Sequence, residues 1–531
     1  MILRRNFVQP FCLQTHLSPR KYSSAGHTLI FEYVYDPFRT EEDKDGRVTV
    51  AGLARTCQAF RDPALDVLWA QLHSLDALVL CSGGRRDGSK KAIWDRALYD
   101  ADWRILARYT GRVHTLTISH RLDTWDITTM QLLSCHPLLG PLLPNLAGLS
   151  WLSNCENFFP FLRCFCGPNL TTLRLSPTSW SVRKCAVVAS LAPLCPLLKK
   201  FLCIDAEDSS MQAVSEAVVG WKKLQVLLAG PLNEQALTHA SSLETLQELR
   251  FSVSDLKSPV LELCSPRAAM TISTPSPSLF HAFTPNVHFS TPRLRLVCQH
   301  YDEKFPKDFF SRLKSCLMHP EELLELRLVV TTRSDEEASN RLIVLDTRML
   351  HPLLSLKGLD HLDLGCAFTF IDDTFLKEMA LSCPRLQKLY LGHQRHWSFI
   401  PVLTFEGVTS LLMHCRQLSS LGIFFDATFK SDTIYMAPVD AVSPKITEFL
   451  VGASCIDDPV KVTAVLSFLF PNATHIDHCI PKKSFGLLQE REANWEAVNK
   501  MLNVFVSARQ QSWGQGWLEG RAAVESKDAV V

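Results

Sequence analysis

The chain has 531 residues, of which 47% are apolar and 21% charged, and its net charge is +1. Such a composition supports a large core, excludes wholesale disorder and leaves no global field to gather nucleic acid or acidic lipid. No apolar run approaches a membrane span, and 18 cysteines without a single Cys-x-x-Cys fit reduced, mostly buried thiols better than a zinc or redox motif.

The first 25 residues carry Arg4, Arg5, Arg20 and Lys21 and no acidic residue, the first being Glu32. That balance is permissible for a transit peptide, but Pro10 and Pro19 interrupt any long amphipathic helix, so residues 1–25 are expected to be a disordered leader. Residues 26–75 are expected to form a small helical module. "LIFEYVYD" (29–36) is its first helix. In "LARTCQAFRDPALDVLW" (53–69), Leu53, Cys57 and Phe60 recur at i, i+4 and i+7, on one helical face. Asp62 is placed to cap a further helix with Pro63 at its first position, and Leu65, Leu68, Trp69 and Leu72 form the second face. Two narrow apolar faces bury little against each other and call for a third partner.

Residues 76–110 read as linker helices. Within them "GGRRDGSK" (83–90) nearly spells a phosphate-binding loop, but no Lys follows its second glycine and no apolar strand leads into it. The expectation there is a solvated, flexible connection.

From 111 to 480 the template apolar-x-x-apolar-x-apolar recurs. It appears as "VHTLTI", "LAGLSW", "LTTLRL", "LKKFLC", "LQVLLA", "LQELRF", "LRLVCQ", "LLELRL", "LDHLDL", "LQKLYL", "LSSLGI", "ITEFLV" and a degraded "ATHIDH". Successive starts lie mostly about 22–36 residues apart, a solenoid period. Helical spacings fill the intervals, as with Phe375, Leu376, Met379 and Cys383. One helix–turn–strand unit cannot bury its own apolar face, so neighbours must stack. The expected fold is α/β, a solenoid with a parallel sheet inside and helices outside, preceded by the small all-α module. Residues 254–292, with six prolines and eleven Ser or Thr, are expected to be an inserted loop. Residues 481–510 are a capping helix with Leu488, Trp495, Val498, Leu502 and Phe505 on one side, and 511–531 are a disordered tail.

Strand alternation leaves the residues between the leucines on the inner wall. That selects Arg174, Arg250, Arg327, His361, Asp363, Lys388, Tyr390 and Phe424, with His393, Arg395, His396 and Trp397 on the loop "GHQRHWSFI". Exposed aromatics beside Arg and His have the composition of a binding hot spot, and these residues are the candidate target-binding set. No G-x-S-x-G or H-E-x-x-H occurs, and "HQRH" and "HIDHC" are weak metal signals. No catalytic residue, metal or cofactor is expected.

"LARTCQAFRDPALDVLWAQL" resembles the second half of an F-box, the module that docks on the Skp-type adaptor of cullin-RING ubiquitin ligases. The likeness is to fungal-type F-box proteins with irregular leucine-rich repeats. "DADWRILARYTGRVHTL" (100–116) is similar to that family's junction of F-box and repeats, and "CPLLKKFLC" and "CPRLQKLYL" to its repeat signature. The resemblance implies a leucine-rich-repeat solenoid and a non-catalytic substrate receptor. In it Ile30, Phe31, Leu53, Cys57, Phe60, Leu68 and Trp69 serve the adaptor, the repeats hold a protein substrate, and the location is cytoplasmic or nuclear. An F-box normally opens with a Leu-Pro pair, where this chain has "SSAGHT", and "RTEEDKDGRVTV" lengthens the link between its first two helices. That departure removes part of the usual adaptor contact. The other reading is a repeat scaffold with a vestigial F-box.

Overall fold

The computed structural model describes residues 30–35, 44–88, 91–119, 127–137, 140–253, 261–265, 267–278, 280, 287–298, 305–330, 344–394, 400–429, 435–478 and 487–528. The expected leader and the Leu-Pro position lie outside the described residues. The chain forms two compact units, Met1–Leu170 and Thr171–Val531.

In the first unit, α1 (residues 30–34), α2 (Lys44–Leu53) and α3 (Gln58–Trp69) surround a core of Phe31, Val50, Ala64 and Val67. The helix boundaries differ from the expected ones. "RTEEDKDGRVTV" is not a plain connection, because from Lys44 it is helix α2, anchored by the fully buried Val50. Leu53 and Phe60 belong to different helices. The chain turns after Leu53, whose carbonyl accepts from Thr56 Oγ1 at 2.7 Å, and restarts with an extended Cys57 ahead of α3. Pro63 therefore lies inside α3, not at its start, and Asp62 caps nothing. Asp62 and Asp66 bind Arg112 instead, with Arg112 Nη2 at 2.7 Å from Asp62 Oδ1.

Helix α3 runs straight into β1 (Gln71–Leu72), which pairs in parallel with β4 (Thr115–Ile118), and β4 pairs with β5 (Gly148–Trp151). The parallel ladder thus begins some forty residues before position 111, too short at β1 to show the template. Between β1 and β4 come α4 (Asp76–Cys81), an antiparallel hairpin of β2 (Arg85–Arg86) and β3 (Ala92–Ile93), and α5 (Asp100–Thr110). The segment expected to be a flexible connection is this hairpin. Gly83 turns at φ +90°, and Arg85–Asp95 (2.8 Å) and Arg86–Asp76 (3.1 Å) tie it down. At the start of α5, two 2.7 Å bonds from Arg96 hold the Asp102 carboxyl at about 2. Helix α6 (Ile127–Ser134) separates β4 from β5.

The second unit is an α/β leucine-rich-repeat solenoid. Its main parallel sheet runs β6 (Thr172–Leu175), β7 (Lys200–Cys203), β8 (Val226–Pro231), β9 (Glu248–Ser252), β11 (Ala269–Thr274), β13 (Arg293–Cys298), β14 (Glu325–Val330), β16 (His361–Leu364), β18 (Lys388–Leu391), β19 (Ser420–Ile423) and β20 (Glu448–Leu450). Small parallel pairs join β10 (Leu261–Cys264) to β12 (Val287–Ser290) and β15 (Val344–Asp346) to β17 (Phe368–Phe370). Of the thirteen templates, twelve coincide with strands across the two units, and "ATHIDH" supplies a single bridge, Leu450 to Asp477. The leucine column Leu173, Leu227, Leu249, Leu326, Leu389 and Leu421 is fully buried, which is what stacked units must achieve.

The helices lie between the strands in sequence, as parallel pairing requires. They are α7 (Val182–Ala189), α8 (Met211–Gly220), α9 (Glu234–Ser241), α10 (Phe309–Cys316), α11 (Thr347–Leu350), α12 (Asp373–Ser382), α13 (Phe405–His414) and α14 (Pro459–Leu469). Side chains of Ser181, Asn233, Asp346, Asp372, Thr404 and Asp458 cap their first turns. The cysteine that ends a repeat helix has a physical role. Cys383 Sγ donates to Leu356 O (3.4 Å) and Cys415 Sγ to Cys383 O (3.6 Å), each reaching a carbonyl of the preceding repeat. Burial pushes the two thiols up to about 11 and about 12, so they stay protonated and able to donate.

Two expectations fail here. Residues 254–292 are not an irregular insertion, for they contain β10, β12 and the main-sheet strand β11. The prolines stand between the strands, at 259, 266, 275, 277, 285 and 292, and leave each strand free to pair. Secondly, the terminal helix α15 (Leu487–Asp528) does not end near residue 510. Gly514, Gly516 and Gly520 are outnumbered there by good helix formers such as Leu518, Ala522 and Ala523.

Helix α15 covers the bridging segment that follows the last strand with side-chain amides. Asn499 accepts from Ile476 N (2.7 Å) and donates to Ile476 O (2.8 Å), as a neighbouring strand would. The fully buried Trp495 donates Nε1–H to Ser454 O at 3.0 Å, and Arg491 Nη1 donates to Ala453 O.

Candidate functional site

The helical module presents the first candidate surface. Phe31 is buried, and Leu53, Phe60 and Leu68 pack half-buried on the same core, with the rings of Phe31 and Phe60 edge to face at 5.5 Å. Ile30 (59% exposed), Tyr33 (94%) and Val48 (71%) point away from that core, and Cys57 is exposed. A three-helix cluster this small cannot bury every apolar side chain it carries. Trp69 is turned elsewhere. Its ring stacks on Tyr109 of α5, so it belongs to the support of the module and not to its outer surface. Val48 escaped the sequence reading because the start of α2 was read as a connection, whereas Tyr33 lies in the expected first helix and was not singled out.

A cleft of about 350 Å³ lies between α5 and residues 136–144, lined by Trp103, Leu106, His136 and Pro141 among others. Its lining is mainly apolar, and its charged or titratable members are Asp100, paired with Arg104 at 2.6 Å, and His136. Among the described residues, no group of three His, Cys, Asp or Glu side chains is placed to hold a metal ion.

The second candidate surface is the face of the second unit's sheet that turns away from its leucine core. Strand register aligns its side chains in rows. One row reads Arg250, Thr271, Arg295, Arg327, Asp363 and Tyr390; its neighbour reads Glu248, Ala269, Arg293, Glu325, His361 and Lys388. Arg327 is paired with Glu325, and its Nη2 donates to His361 Nδ1 at 3.2 Å. Burial, and then the positive field of Arg327, press the His361 imidazole down to about 4, so the ring is neutral and its proton sits on Nε2. That nitrogen is buried with no hydrogen-bond partner among the described residues. Asp363 accepts from Gly365 N at 3.0 Å, and burial raises its carboxyl. Tyr390 donates to Glu448 Oε2 at 3.0 Å, and burial raises its phenol. Lys388 is exposed.

Two residues of the sequence-based set are not available for contact. Phe424 is 1% exposed and packs edge to face with Phe368, because the alternation ends at Ile423 and the chain turns inward. His393 is 6% exposed. It settles on three glycines of neighbouring units, where a Cβ at Gly365, Gly422 or Gly452 would lie 2.4, 2.8 or 2.7 Å from His393 atoms. Burial lowers its imidazole to about 4. Arg395, His396 and Trp397 lie outside the described residues. Arg293 and Arg295 were missed because "LRLVCQ" starts the template at Leu294, whereas strand register sets Leu294 beside Leu326, the fourth residue of "LLELRL".

No protein-family model matches the chain, and no curated protein matches it. Solved structures similar to it at a distance include the following two. An internalin (inlF) from Listeria monocytogenes is 12% identical, with 66% of this chain and 82% of that chain covered and a TM-score of 0.29. A chain of the yeast Rad7 and Elc1 complex is also 12% identical, with 87% and 90% covered and a TM-score of 0.29. No helix among the described residues is long and apolar enough to cross a membrane.

Proposed function

We propose that the chain is a non-catalytic substrate receptor of a Skp–cullin–F-box ubiquitin ligase. The helical module docks the Skp-type adaptor, and the open face of the repeats holds the protein to be ubiquitinated. The observation that carries the first half is the apolar surface of Ile30, Tyr33 and Val48 left uncovered over a four-residue core. A helical face of that kind is completed by a partner's helices. Ubiquitin transfer is the work of the other ligase subunits, so the receptor needs neither a nucleophile nor a cofactor, and its place of work is the cytoplasm or nucleus.

The test is retention of the full chain on an immobilised Skp-type adaptor, with thiol labelling of Cys57 before and after binding. Retention, lost in Ile30→Asp and Val48→Asp, together with shielding of Cys57, is expected. The second reading, a repeat scaffold with a vestigial F-box, is favoured by the missing Leu-Pro pair. It becomes the better one if the wild-type chain fails to bind the adaptor.

A further inference from the structure

We infer that residues 510–528, the terminal turns of helix α15, pair antiparallel with the same turns of a second copy of this chain. The inference is independent of the receptor reading and needs no adaptor.

The first part of α15 caps the last repeat. Trp495, Val498, Leu502 and Val506 are buried there, and their spacing of three and four sets them on one helical face. Arg509 keeps the same phase, its Nη2 donating to Ala464 O at 2.9 Å. The element that α15 packs on is α14, and the two differ in length. The 11 residues of α14 extend roughly 16 Å, whereas the 42 residues of α15 extend roughly 63 Å. After Arg509 the helix continues for roughly another 28 Å. Over that length the same face carries Trp513, Trp517, Gly520 and Val524. The capping stripe thus runs on past the repeat it caps. A helix of this length that includes Gly514, Gly516 and Gly520 is marginal alone in water, and pairing along an apolar stripe stabilises it.

The order of residues along the stripe selects the occupant, because it is complementary to itself. In an antiparallel pair centred between Leu518 and Glu519, Trp517 of each copy meets Gly520 of the other, and Trp513 meets Val524. Each layer sets a large residue against a smaller one, as close packing requires. A parallel pair would set indole on indole and glycine on glycine. Beside the stripe, Gly514 faces Arg521 and Gly516 faces Ala523, so no like charges meet and the backbones can approach. Such an interface is isologous and closes at two copies. Four tryptophans at about 150–250 Å² each, with Val524, bury about 1,000 Å² in all, the low end for a specific interface. An anionic membrane or a nucleic acid is a poor occupant, since Glu519, Glu525 and Asp528 outnumber Arg521 and Lys527 on these turns.

The test is sedimentation velocity of the full chain from about 1 to 100 μM, the range suited to an interface of this size. The sedimenting mass should double across that range. Trp517→Glu, Gly520→Trp and a chain ended after Gln510 should each stay at monomer mass. The double swap of Trp517→Gly with Gly520→Trp restores large against small and should regain the dimer. Thermal melting alongside checks that each variant keeps its cap. A dimer that survives the truncation or Trp517→Glu overturns the inference, as does a swap variant that stays monomeric. A monomeric wild type overturns it too. If that monomer then binds phosphatidylserine vesicles and Trp517→Glu does not, the stripe belongs to a membrane. If its melting midpoint drops on truncation instead, the stripe belongs to its own repeats.

Discussion

The indole of Trp69 lies stacked on the phenol ring of Tyr109, with centroids 4.4 Å apart and planes inclined by 29°. Together with the grip of Arg112 on Asp62 and Asp66, this contact fastens α3 to α5 within the first unit. Trp69→Ala should therefore cost about 2 kcal/mol of stability, the scale of a half-buried aromatic and its stacking partner. Adaptor retention should fall with it only near the melting temperature. Val48→Asp should do the reverse, losing adaptor at every temperature while the melting midpoint stays put. Differential scanning fluorimetry beside the adaptor pull-down separates the two.

Asp373 joins consecutive helices of the second unit. Its Oδ1 accepts from Thr404 N (2.8 Å) and Gly407 N (3.0 Å), and its Oδ2 from Thr404 Oγ1 (2.7 Å). The residue at the start of α12 thus serves the first turn of α13. Asp373→Ala leaves those donors without their acceptor and should lower stability by about 2 kcal/mol, at the upper end for a lost helix cap. Asp373→Asn, which keeps one acceptor oxygen, should recover part of it. Urea melts followed by tryptophan fluorescence read the difference.

His361 and His393 both titrate near 4 in the folded chain, well below the ordinary imidazole value. The unfolded chain therefore binds more protons between about pH 6.5 and 4, and stability falls as pH drops through that window. Above it the contribution is complete. His393→Gln should flatten the pH dependence of the melting midpoint across this window. A slope as steep as that of the wild type would count against burial of the His393 ring.

The glycine floor under His393 makes a graded prediction. At Gly452, φ is +57° and a Cβ would meet the His393 backbone, whose carbonyl oxygen is 2.7 Å away. At Gly365 the first obstacle is the His393 ring. Gly452→Ala should therefore destabilise more than Gly365→Ala, because a ring turns aside more readily than a backbone. Thermal midpoints of the two variants give the order.

Trp495→Ala should be the most damaging of these changes, costing about 3–5 kcal/mol, as a fully buried indole and its bond to Ser454 O are lost together. Asn499→Leu should loosen the bridging segment beside the last strand by freeing Ile476 N and O. Faster hydrogen exchange at Ile476 checks it.

By itself the sequence determined the repeat ladder, because a six-residue template with its leucines in fixed phase leaves a parallel strand little choice of face or register. The cysteine at the helix end was equally legible as part of the repeat signature, but its bond to the preceding repeat was not. Strand β11 was not, because "AMTIST" lacks leucine and borrows its pairing from β9 and β13. Nor was the break between α2 and α3, where a single helical period ran through residues that tertiary packing divides. On the open face, alternation picked out Arg250, Arg327, His361 and Asp363, but exposure depended on what the next repeats placed above them. Three glycines distant in sequence made room for His393, and the inward turn after Ile423 took Phe424 into the core. Which arginines keep a free charge was likewise settled across strands. Glu325 stands in register with Arg293 and two residues before Arg327 on its own strand, and among the described residues no carboxylate pairs with Arg295. Local pattern encodes which face a residue takes, whereas burial and pairing depend on neighbours that only the stacked repeats bring together.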